Sequence, residues 1–153
     1  MLKTILICGP AGSGKSEFVR LQMSRGDIVI DIDKLYQAIS YLDPHDKPRE
    51  IIEYVRAAKE AIYKLAEKDK SDRWLWIVTS GAEVKTRDRF RKRFKADVYV
   101  FETPIEECVA RIKEDKTRYM KTEAEWYEII GKWWQRYEKD MRDKVMGEGG
   151  SNL

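Results

Sequence analysis

Short runs of β-branched and other apolar residues alternate along the chain with longer segments whose apolar residues recur at helical spacing. The first pattern predicts buried strands and the second predicts amphipathic helices. Strands are predicted over residues 4–8, 28–32, 74–79 and 98–101. Helices are predicted near residues 15–25, 34–42, 51–65, 86–94, 105–112 and 122–141. Such alternation favours right-handed crossovers, so we expect a three-layer α/β domain with a small parallel sheet of about four strands flanked by helices.

One domain accounts for nearly the whole chain. The length of 153 residues fits a single domain, and the sequence contains no internal repeat or low-complexity block. We assign residues 1–146 to this domain and expect the glycine-rich residues 147–153 to form a frayed C-terminal tail. Thr122 and Glu125 have the spacing of a capping box, which predicts the start of the last long helix.

Composition excludes several broad classes of protein. Hydrophobic residues make up 42% of the chain and aromatic residues 11%, which is too apolar for a disordered protein. No apolar run approaches the roughly 18 residues of a membrane span. Cys8 and Cys108 lie in apolar contexts and predict buried, reduced thiols, which favours a cytoplasmic protein. The net charge of +3 is too small to identify a partner.

A glycine-rich motif between the first strand and the first helix carries the strongest functional signal. Residues 9–16 read GPAGSGKS and satisfy the pattern G-x-x-x-x-G-K-[ST] in full. In this pattern backbone N–H groups point at phosphate oxygens, Lys15 bridges the β- and γ-phosphates, and the Ser16 hydroxyl binds Mg²⁺. The motif predicts a nucleoside triphosphate site. Its candidate binding residues are Gly9, Ala11, Gly12, Ser13, Gly14, Lys15 and Ser16.

Three segments together resemble the polynucleotide-kinase-like branch of P-loop kinases. They are residues 9–16, the DIDKLYQAI segment at 31–39 and the stretch from Arg111 to Arg118. This branch includes small phage-encoded members and AAA-type, zeta-toxin-like kinases, and the resemblance spans roughly residues 2–137. It implies a P-loop NTPase fold that uses ATP and Mg²⁺ to phosphorylate a nucleic-acid 5′-hydroxyl or a related nucleotide group.

The resemblance also implies roles for two aspartates near the second strand. In that family a carboxylate here faces the acceptor hydroxyl as general base or orienter, and Asp33 matches its position. Asp31 lies two residues earlier, on the same face of an extended strand, and is a candidate metal ligand through water. Capping of the next helix is the alternative role for Asp33. The third strand ends in Thr79-Ser80-Gly81, where the family favours an acidic residue, so metal ligands beyond Ser16 stay open.

A second set of cations follows the fourth strand, where P-loop kinases place a mobile lid. Arg111 and Arg118 are candidates for neutralising charge on the transferring phosphoryl group. The alternative is a solvated helix surface, because acidic residues are interleaved with these cations.

The segment from Lys85 to Lys95 is strongly basic. Helical spacing puts Arg87 and Arg91 on one face and Phe90 and Phe94 on another. Either Arg87, Arg91 and their neighbours bind nucleic-acid phosphodiesters, or the phenylalanines are core and the cations solvate the outside. Core packing is likewise the favoured interpretation of the tryptophans at 126, 133 and 134, with Trp134 the candidate exception. His45 has no partner cluster in the sequence and receives no role.

The leading interpretation is an ATP- and Mg²⁺-dependent phosphotransferase. Lys15 would bind phosphate, and Ser16 would bind the metal. Asp33 would activate the acceptor, and Arg111 and Arg118 would close over the γ-phosphate. One rival is a nucleoside monophosphate kinase, whose phosphate pocket Arg49, Arg56 or Arg87 would supply. The other is a nucleotide-switched, DNA-binding accessory ATPase of the kind that serves phage packaging or replication.

Overall fold

A computed structural model describes residues 1–146. A five-stranded sheet lies at the centre of the domain. The strands are β1 (Lys3–Cys8), β2 (Ile28–Asp31), β3 (Trp74–Thr79), β4 (Asp97–Phe101) and β5 (Lys144–Met146). Their spatial order is β2-β3-β1-β4-β5, and every neighbouring pair is parallel. Parallel pairing brings the carboxyl ends of all strands to one edge of the sheet, which is where ligands bind in open α/β folds.

Helices cover both faces of this sheet. They are α1 (Lys15–Gln22), α2 (Ile32–Ser40), α3 (Ile52–Lys68), α4 (Val84–Phe94), α5 (Ile105–Glu114) and α6 (Glu123–Arg136), with a short 3₁₀ helix at Arg49–Ile51. Successive side chains of β1 point to opposite faces, so Leu6 packs in the core beneath α3, α4 and α6. Ile7 packs in the second core, beneath α1. The three-layer α/β prediction is confirmed.

The C-terminal part of the domain differs from the prediction. Helix α6 begins with the expected capping box, in which Thr122 Oγ1 accepts from the Glu125 amide at 3.2 Å. It ends at Arg136 rather than continuing to residue 141, and the chain then returns to pair β5 with β4. The sheet therefore has five strands. A strand of only three residues is too short to show an alternating pattern, and its pairing comes from the tertiary fold. The predicted tail, residues 147–153, lies outside the described residues.

The junction of β2 and α2 also corrects an expectation. The strand ends at Asp31, whose Oδ1 accepts from the Asp33 amide at 3.1 Å and caps α2. Asp33 is therefore not the cap, and it lies in the first helical turn rather than on the strand face of Asp31. The helix begins two residues earlier than predicted because Asp31 accepts the amide hydrogen that a capping residue satisfies.

The two cysteines are buried free thiols, as predicted. Burial raises the pKa of Cys8 to about 12 and that of Cys108 to about 11. Both are therefore protonated and unreactive near neutral pH. Within residues 1–146, no helix combines the length and the apolar character needed to cross a membrane.

The side chain of Arg87 is buried inside the fold, with 0% exposure. Its Nε lies 3.0 Å from Asp143 Oδ2. It also donates to the carbonyls of Gly81 at 2.7 Å and Ala82 at 2.9 Å, and to the carbonyl of Glu138. Arg87 thus ties the loop after β3 to the segment that leads into β5.

Arg91 lies beside this buried pair and shares its counter-ion. It donates to Asp88 at 2.9 Å and to Asp143, whose side chain has no exposure. Burial raises the pKa of Asp143, and the guanidinium groups of Arg87 and Arg91 oppose that shift. Arg87 and Arg91 are therefore not free to form the predicted phosphodiester-binding surface. Both cations are neutralised by a carboxylate that lies far along the chain and that helical spacing does not reveal.

Candidate active site

The glycine-rich loop joins β1 to α1 at the carboxyl edge of the sheet. Gly12 and Gly14 adopt left-handed backbone angles, with φ of 75° and 95°. A Cβ on Gly12 would lie 2.7 Å from the Cys108 carbonyl oxygen, and one on Gly14 would lie 2.8 Å from Arg111 Nη1. Both positions therefore favour glycine for backbone conformation, and Gly12 also for the close approach of the Cys108 carbonyl. The loop wraps the N-terminus of α1, which is suited to binding phosphate oxygens.

Lys15 opens α1 and turns its side chain back over the loop. Its Nζ donates to the carbonyl oxygens of Gly9 at 2.6 Å and Pro10 at 2.8 Å. Burial lowers the pKa of Lys15 to about 8. Both acceptors are neutral carbonyls, so the charged oxygens of a triphosphate are stronger acceptors for the same ammonium group.

Ser16 and Asp31 are brought together although 15 residues separate them along the chain. Ser16 Oγ donates to Asp31 Oδ2 at 2.6 Å, at the carboxyl end of β2. A hydroxyl and a carboxylate are hard oxygen donors of the type that Mg²⁺ prefers, so this pair fits the metal. No group of three or more His, Cys, Asp or Glu suited to a metal occurs in residues 1–146. A Mg²⁺ ion here would thus rely on phosphate and water oxygens for its other ligands.

Asp33 projects from the first turn of α2 into the same cleft. His45 Nδ1 lies 3.2 Å from its Oδ2, and Lys47 Nζ lies 2.8 Å from its Oδ1. Partial burial raises the pKa of Asp33, but the hydrogen bonds from His45 and Lys47 outweigh that effect and hold the pKa well below its usual range. The carboxylate is therefore ionised at neutral pH and able to accept a hydrogen bond.

The contacts of Asp33 include two residues that the sequence analysis missed. His45 and Lys47 lie in the loop between α2 and α3, and His45 has a positive φ of 70°. The Nε2 of His45 lies 3.9 Å from Asp115 Oδ2, so its ring stands between two carboxylates. The sequence of this loop has no signal that directs it towards Asp33.

The two predicted lid arginines both line this cleft. Arg111 lies against Gly14 of the loop and pairs with Glu107 at 3.3 Å. Arg118 pairs with Asp115 at 3.3 Å, and its guanidinium carbon lies 5.4 Å from the ring centre of Trp126. Their partners are single carboxylates at the cleft rim, so both guanidinium groups can exchange these for the more highly charged phosphates.

A single cleft of about 800 Å³ joins these groups. The residues of the sequence-based site that line it are Gly9, Ala11, Gly12, Ser13, Gly14, Lys15, Ser16, Asp31, Asp33, Arg111 and Arg118. Arg49, Arg56 and Arg87, considered for a monophosphate pocket, are not among the described lining residues. Arg56 instead pairs with Glu53 at 2.8 Å. The structure thus gathers the P-loop, acceptor and lid candidates at one place.

The structure places the three tryptophans differently from the prediction. Trp133 is buried and donates its Nε1 to the Ser80 carbonyl at 2.7 Å. Trp134 packs against the hydrophobic core, so it is not the exception. Trp126 lines the cleft beneath Arg118. The sequence could not distinguish the three, because all share one helical pattern.

Comparison with known proteins agrees with this arrangement. The model of the AAA domain family matches residues 4–136. The chain belongs to the AAA domain family. The matched range includes the P-loop, Asp33, Arg111 and Arg118. The solved structures described next share the P-loop kinase-like fold that the sequence resemblance predicted.

Solved structures share the fold at low sequence identity. A gluconokinase from Sinorhizobium meliloti 1021 is 15% identical with a TM-score of 0.60, over 97% of this chain and 84% of that one. A shikimate kinase from Bacteroides thetaiotaomicron is 12% identical with a TM-score of 0.55, over 96% and 87%. The Pnkp1/Rnl/Hen1 RNA repair complex contains a chain that is 15% identical with a TM-score of 0.65, over 88% of this chain and 45% of that one. No curated protein sequence matches this chain.

Proposed function

We propose that this AAA domain protein is an ATP- and Mg²⁺-dependent phosphotransferase that moves the γ-phosphate to an acceptor hydroxyl bound at Asp33. One observation carries the proposal: an ionised carboxylate that cannot belong to the phosphate loop lies in the same cleft as that loop. A carboxylate beside a phosphate-binding loop is in a position to orient or deprotonate an acceptor hydroxyl.

The nucleotide side of the reaction follows from the loop geometry. Backbone N–H groups of residues 9–16 and the Lys15 ammonium hold the triphosphate. Ser16, with Asp31 behind it, would hold Mg²⁺, which neutralises phosphate charge when it is bound. Arg111 and Arg118 neutralise charge on the transferring group from the lid side.

Asp33 acts on the acceptor. The acceptor hydroxyl donates a hydrogen bond to the carboxylate, which aligns its oxygen with the γ-phosphorus. As the new O–P bond forms and the bond between the γ-phosphorus and the β–γ bridging oxygen breaks, the hydroxyl proton passes to Asp33 and ADP leaves. Because phosphoryl transfer has a loose transition state, alignment matters more than basicity, which suits a carboxyl with a lowered pKa.

For the acceptor itself we propose a nucleotide or a nucleic-acid 5′-hydroxyl. The sequence resemblance to polynucleotide-kinase-like enzymes supports this choice. The structural similarity to a chain of an RNA repair complex is compatible with it. Because Arg87 and Arg91 are held by Asp143, we propose that an oligonucleotide binds at the cleft.

A transfer assay with ATP labelled at the γ-phosphate tests the proposal. The acceptors are 5′-hydroxyl DNA and RNA oligonucleotides, nucleosides and nucleoside monophosphates, each with Mg²⁺. The variants are Lys15→Ala and Asp33→Asn, and the matched control is Lys85→Ala, whose side chain is 76% exposed. We expect label on an acceptor hydroxyl, lost in both site variants and retained in the control.

Two other outcomes would redirect the assignment. Label on the phosphate of a monophosphate would make the protein a nucleoside monophosphate kinase. Release of free phosphate alone, unaffected by Asp33→Asn, would favour an accessory ATPase. The absence of an acidic residue at Thr79 and Ser80, where β3 ends, is the observation that favours this second candidate.

A further inference from the structure

The cations that line the cleft differ in whether the protein supplies them with a counter-ion. Lys47, Arg111 and Arg118 each pair with a carboxylate. Among the described residues, the other four lining cations have no carboxylate oxygen within 4.0 Å, and these are Lys15, Lys34, Lys59 and Lys121. Lys15 donates instead to two backbone carbonyls of the loop. Lys34 and Lys121 are exposed, whereas Lys59 is half-buried. Lys59 is thus the cleft cation whose positive charge is least stabilised by solvent and by neighbouring protein groups.

The surroundings of Lys59 increase its need for a negative partner. Burial lowers the pKa of Lys59, and the positive charge of Arg56 lowers it further. The nearby carboxylate of Glu60 is occupied by Arg93, at 2.7 and 2.9 Å. Glu60 still raises the pKa of Lys59 and Arg89 lowers it, and the pKa stays lowered overall. A partly desolvated ammonium group among cations is stabilised when an anion binds beside it.

Lys59 belongs to the acceptor side of the cleft. It lies on α3, which packs against α2, the helix that carries Asp33. The cleft wall next to it is aromatic, formed by Tyr63 one helical turn further along α3 and by Phe90 of α4. The Tyr63 and Phe90 rings meet edge to face, with centroids 6.2 Å apart. The nucleotide loop and the lid arginines lie on other elements, β1–α1 and α5.

We propose that Lys59 is a specificity-determining residue that binds an anionic group of the acceptor, a phosphate or a carboxylate, while the acceptor hydroxyl lies at Asp33. This inference rests on the proposed phosphotransfer and narrows the class of acceptors. Acceptors that carry both a hydroxyl and an anionic group are substrates, and their neutral counterparts are poor ones. The aromatic wall of Tyr63 and Phe90 contacts the body of the acceptor between its two polar ends.

Matched acceptor pairs test the phosphate and carboxylate sources separately. Adenosine 3′-monophosphate is compared with adenosine, and gluconate with glucose. The enzymes are the wild type, Lys59→Gln, Lys59→Arg and the control Lys64→Gln, an exposed lysine on the same helix. The assay measures kcat/KM for transfer of label from ATP.

We expect the anionic member of at least one pair to exceed its neutral counterpart by about tenfold or more, the range of one charge-assisted hydrogen bond. Lys59→Gln should remove that advantage and leave the neutral member within about twofold of its former rate. Lys59→Arg and Lys64→Gln should retain it. Equal use of both members of each pair, or an equal loss on both in Lys59→Gln, would overturn the proposal.

A binding measurement separates this inference from the phosphotransfer on which it rests. The ¹⁵N and ¹³C resonances of the Lys59 side chain are followed with Mg²⁺ and a non-hydrolysable ATP analogue, while the same four compounds are added. We expect a shift with an anionic compound and none with its neutral partner. No shift with either anion overturns the anion subsite. A shift without label transfer leaves the subsite intact and refutes the phosphotransfer.

Discussion

Two cation-rich regions of this molecule, helix α4 and the cleft, differ in how the fold neutralises their charge. Helix α4 carries Arg87, Arg91 and Arg93, and each of these is held by carboxylates of the fold. The cleft carries Lys15, whose partners are backbone carbonyls, and Lys59, which has no carboxylate within 4.0 Å among the described residues. The α4 cations therefore stabilise the domain, whereas the cleft cations are available to anionic ligands.

The comparison shows that charge density along a sequence does not identify a binding surface. What matters is whether the fold supplies a counter-charge before a ligand arrives. On α4 the counter-charges come from the segment that leads into β5 and from α3. In the cleft the fold leaves the positive charge incompletely neutralised, which favours anion binding. Four measurements test this distinction between the α4 cations and the cleft cations.

The largest effect is expected from removing a cation that the fold neutralises. Arg87→Met leaves Asp143 buried beside a single remaining arginine and deprives three carbonyls of their donor. We expect a loss of about 3–5 kcal/mol in the free energy of unfolding, measured by urea denaturation. Lys85→Met, on the exposed side of α4, should change it by about 0.5 kcal/mol or less. A similar loss in both variants would contradict the division.

Removing a cleft cation should instead lower the activity and leave the stability unchanged. Lys15→Met should lower kcat for phosphoryl transfer by about 10²–10³-fold, because it removes a charge from the phosphate site. The free energy of unfolding should not fall, because Lys15 has no carboxylate partner whose charge would be left buried. Transfer kinetics and urea denaturation on the same preparation measure both quantities. A variant that loses stability as well as activity would place Lys15 with the structural cations.

The pH dependence of nucleotide binding should report the protonation state of Lys15. With a pKa of about 8, Lys15 is charged below that pH and neutral above it in the free protein. Bound phosphates favour the charged form, so affinity should be constant below pH 8 and fall towards tenfold per pH unit above it. Calorimetric titration with a non-hydrolysable ATP analogue measures this. Lys15→Arg stays charged and should abolish the dependence, and a wild-type profile that is flat to pH 10 would refute the assignment.

The smallest effect is expected at the outer side of α4. Arg93 pairs with Glu60 and Glu67 near the surface, where solvent weakens ion pairs. Arg93→Gln should reduce the free energy of unfolding by about 1 kcal/mol or less. It should leave the affinity for an oligonucleotide unchanged at all salt concentrations, as measured by fluorescence anisotropy. A reduced salt dependence of binding would restore α4 as a nucleic-acid surface.

The sequence predicts those parts of the site that depend on local spacing. The P-loop is contiguous, so its residue types identify both its conformation and its ligand. Thr122 and Glu125 likewise satisfy each other within one helical turn. The three-layer architecture follows from the alternation of elements, and β3 has the bounds that its apolar run predicts.

The parts that the sequence does not predict are contacts between distant segments. His45 reaches Asp33 through a loop whose direction depends on the packing of α2 and α3. Asp143 reaches Arg87 only because β5 returns to the sheet edge. Lys59 is one of many helical lysines, and only its position on the cleft wall and its lack of a carboxylate partner distinguish it.

The long separation between α4 and its counter-ion has a consequence for synthesis of the protein. Arg91 precedes Asp143 by 52 residues, so it leaves the ribosome first. At 5–20 residues per second, roughly 3 to 10 seconds pass before the neutralising carboxylate is made. During that interval Arg87 lacks its carboxylate partner and Arg91 has only Asp88. The buried ion pairs of α4 can therefore form only after the segment that leads into β5 has been synthesised.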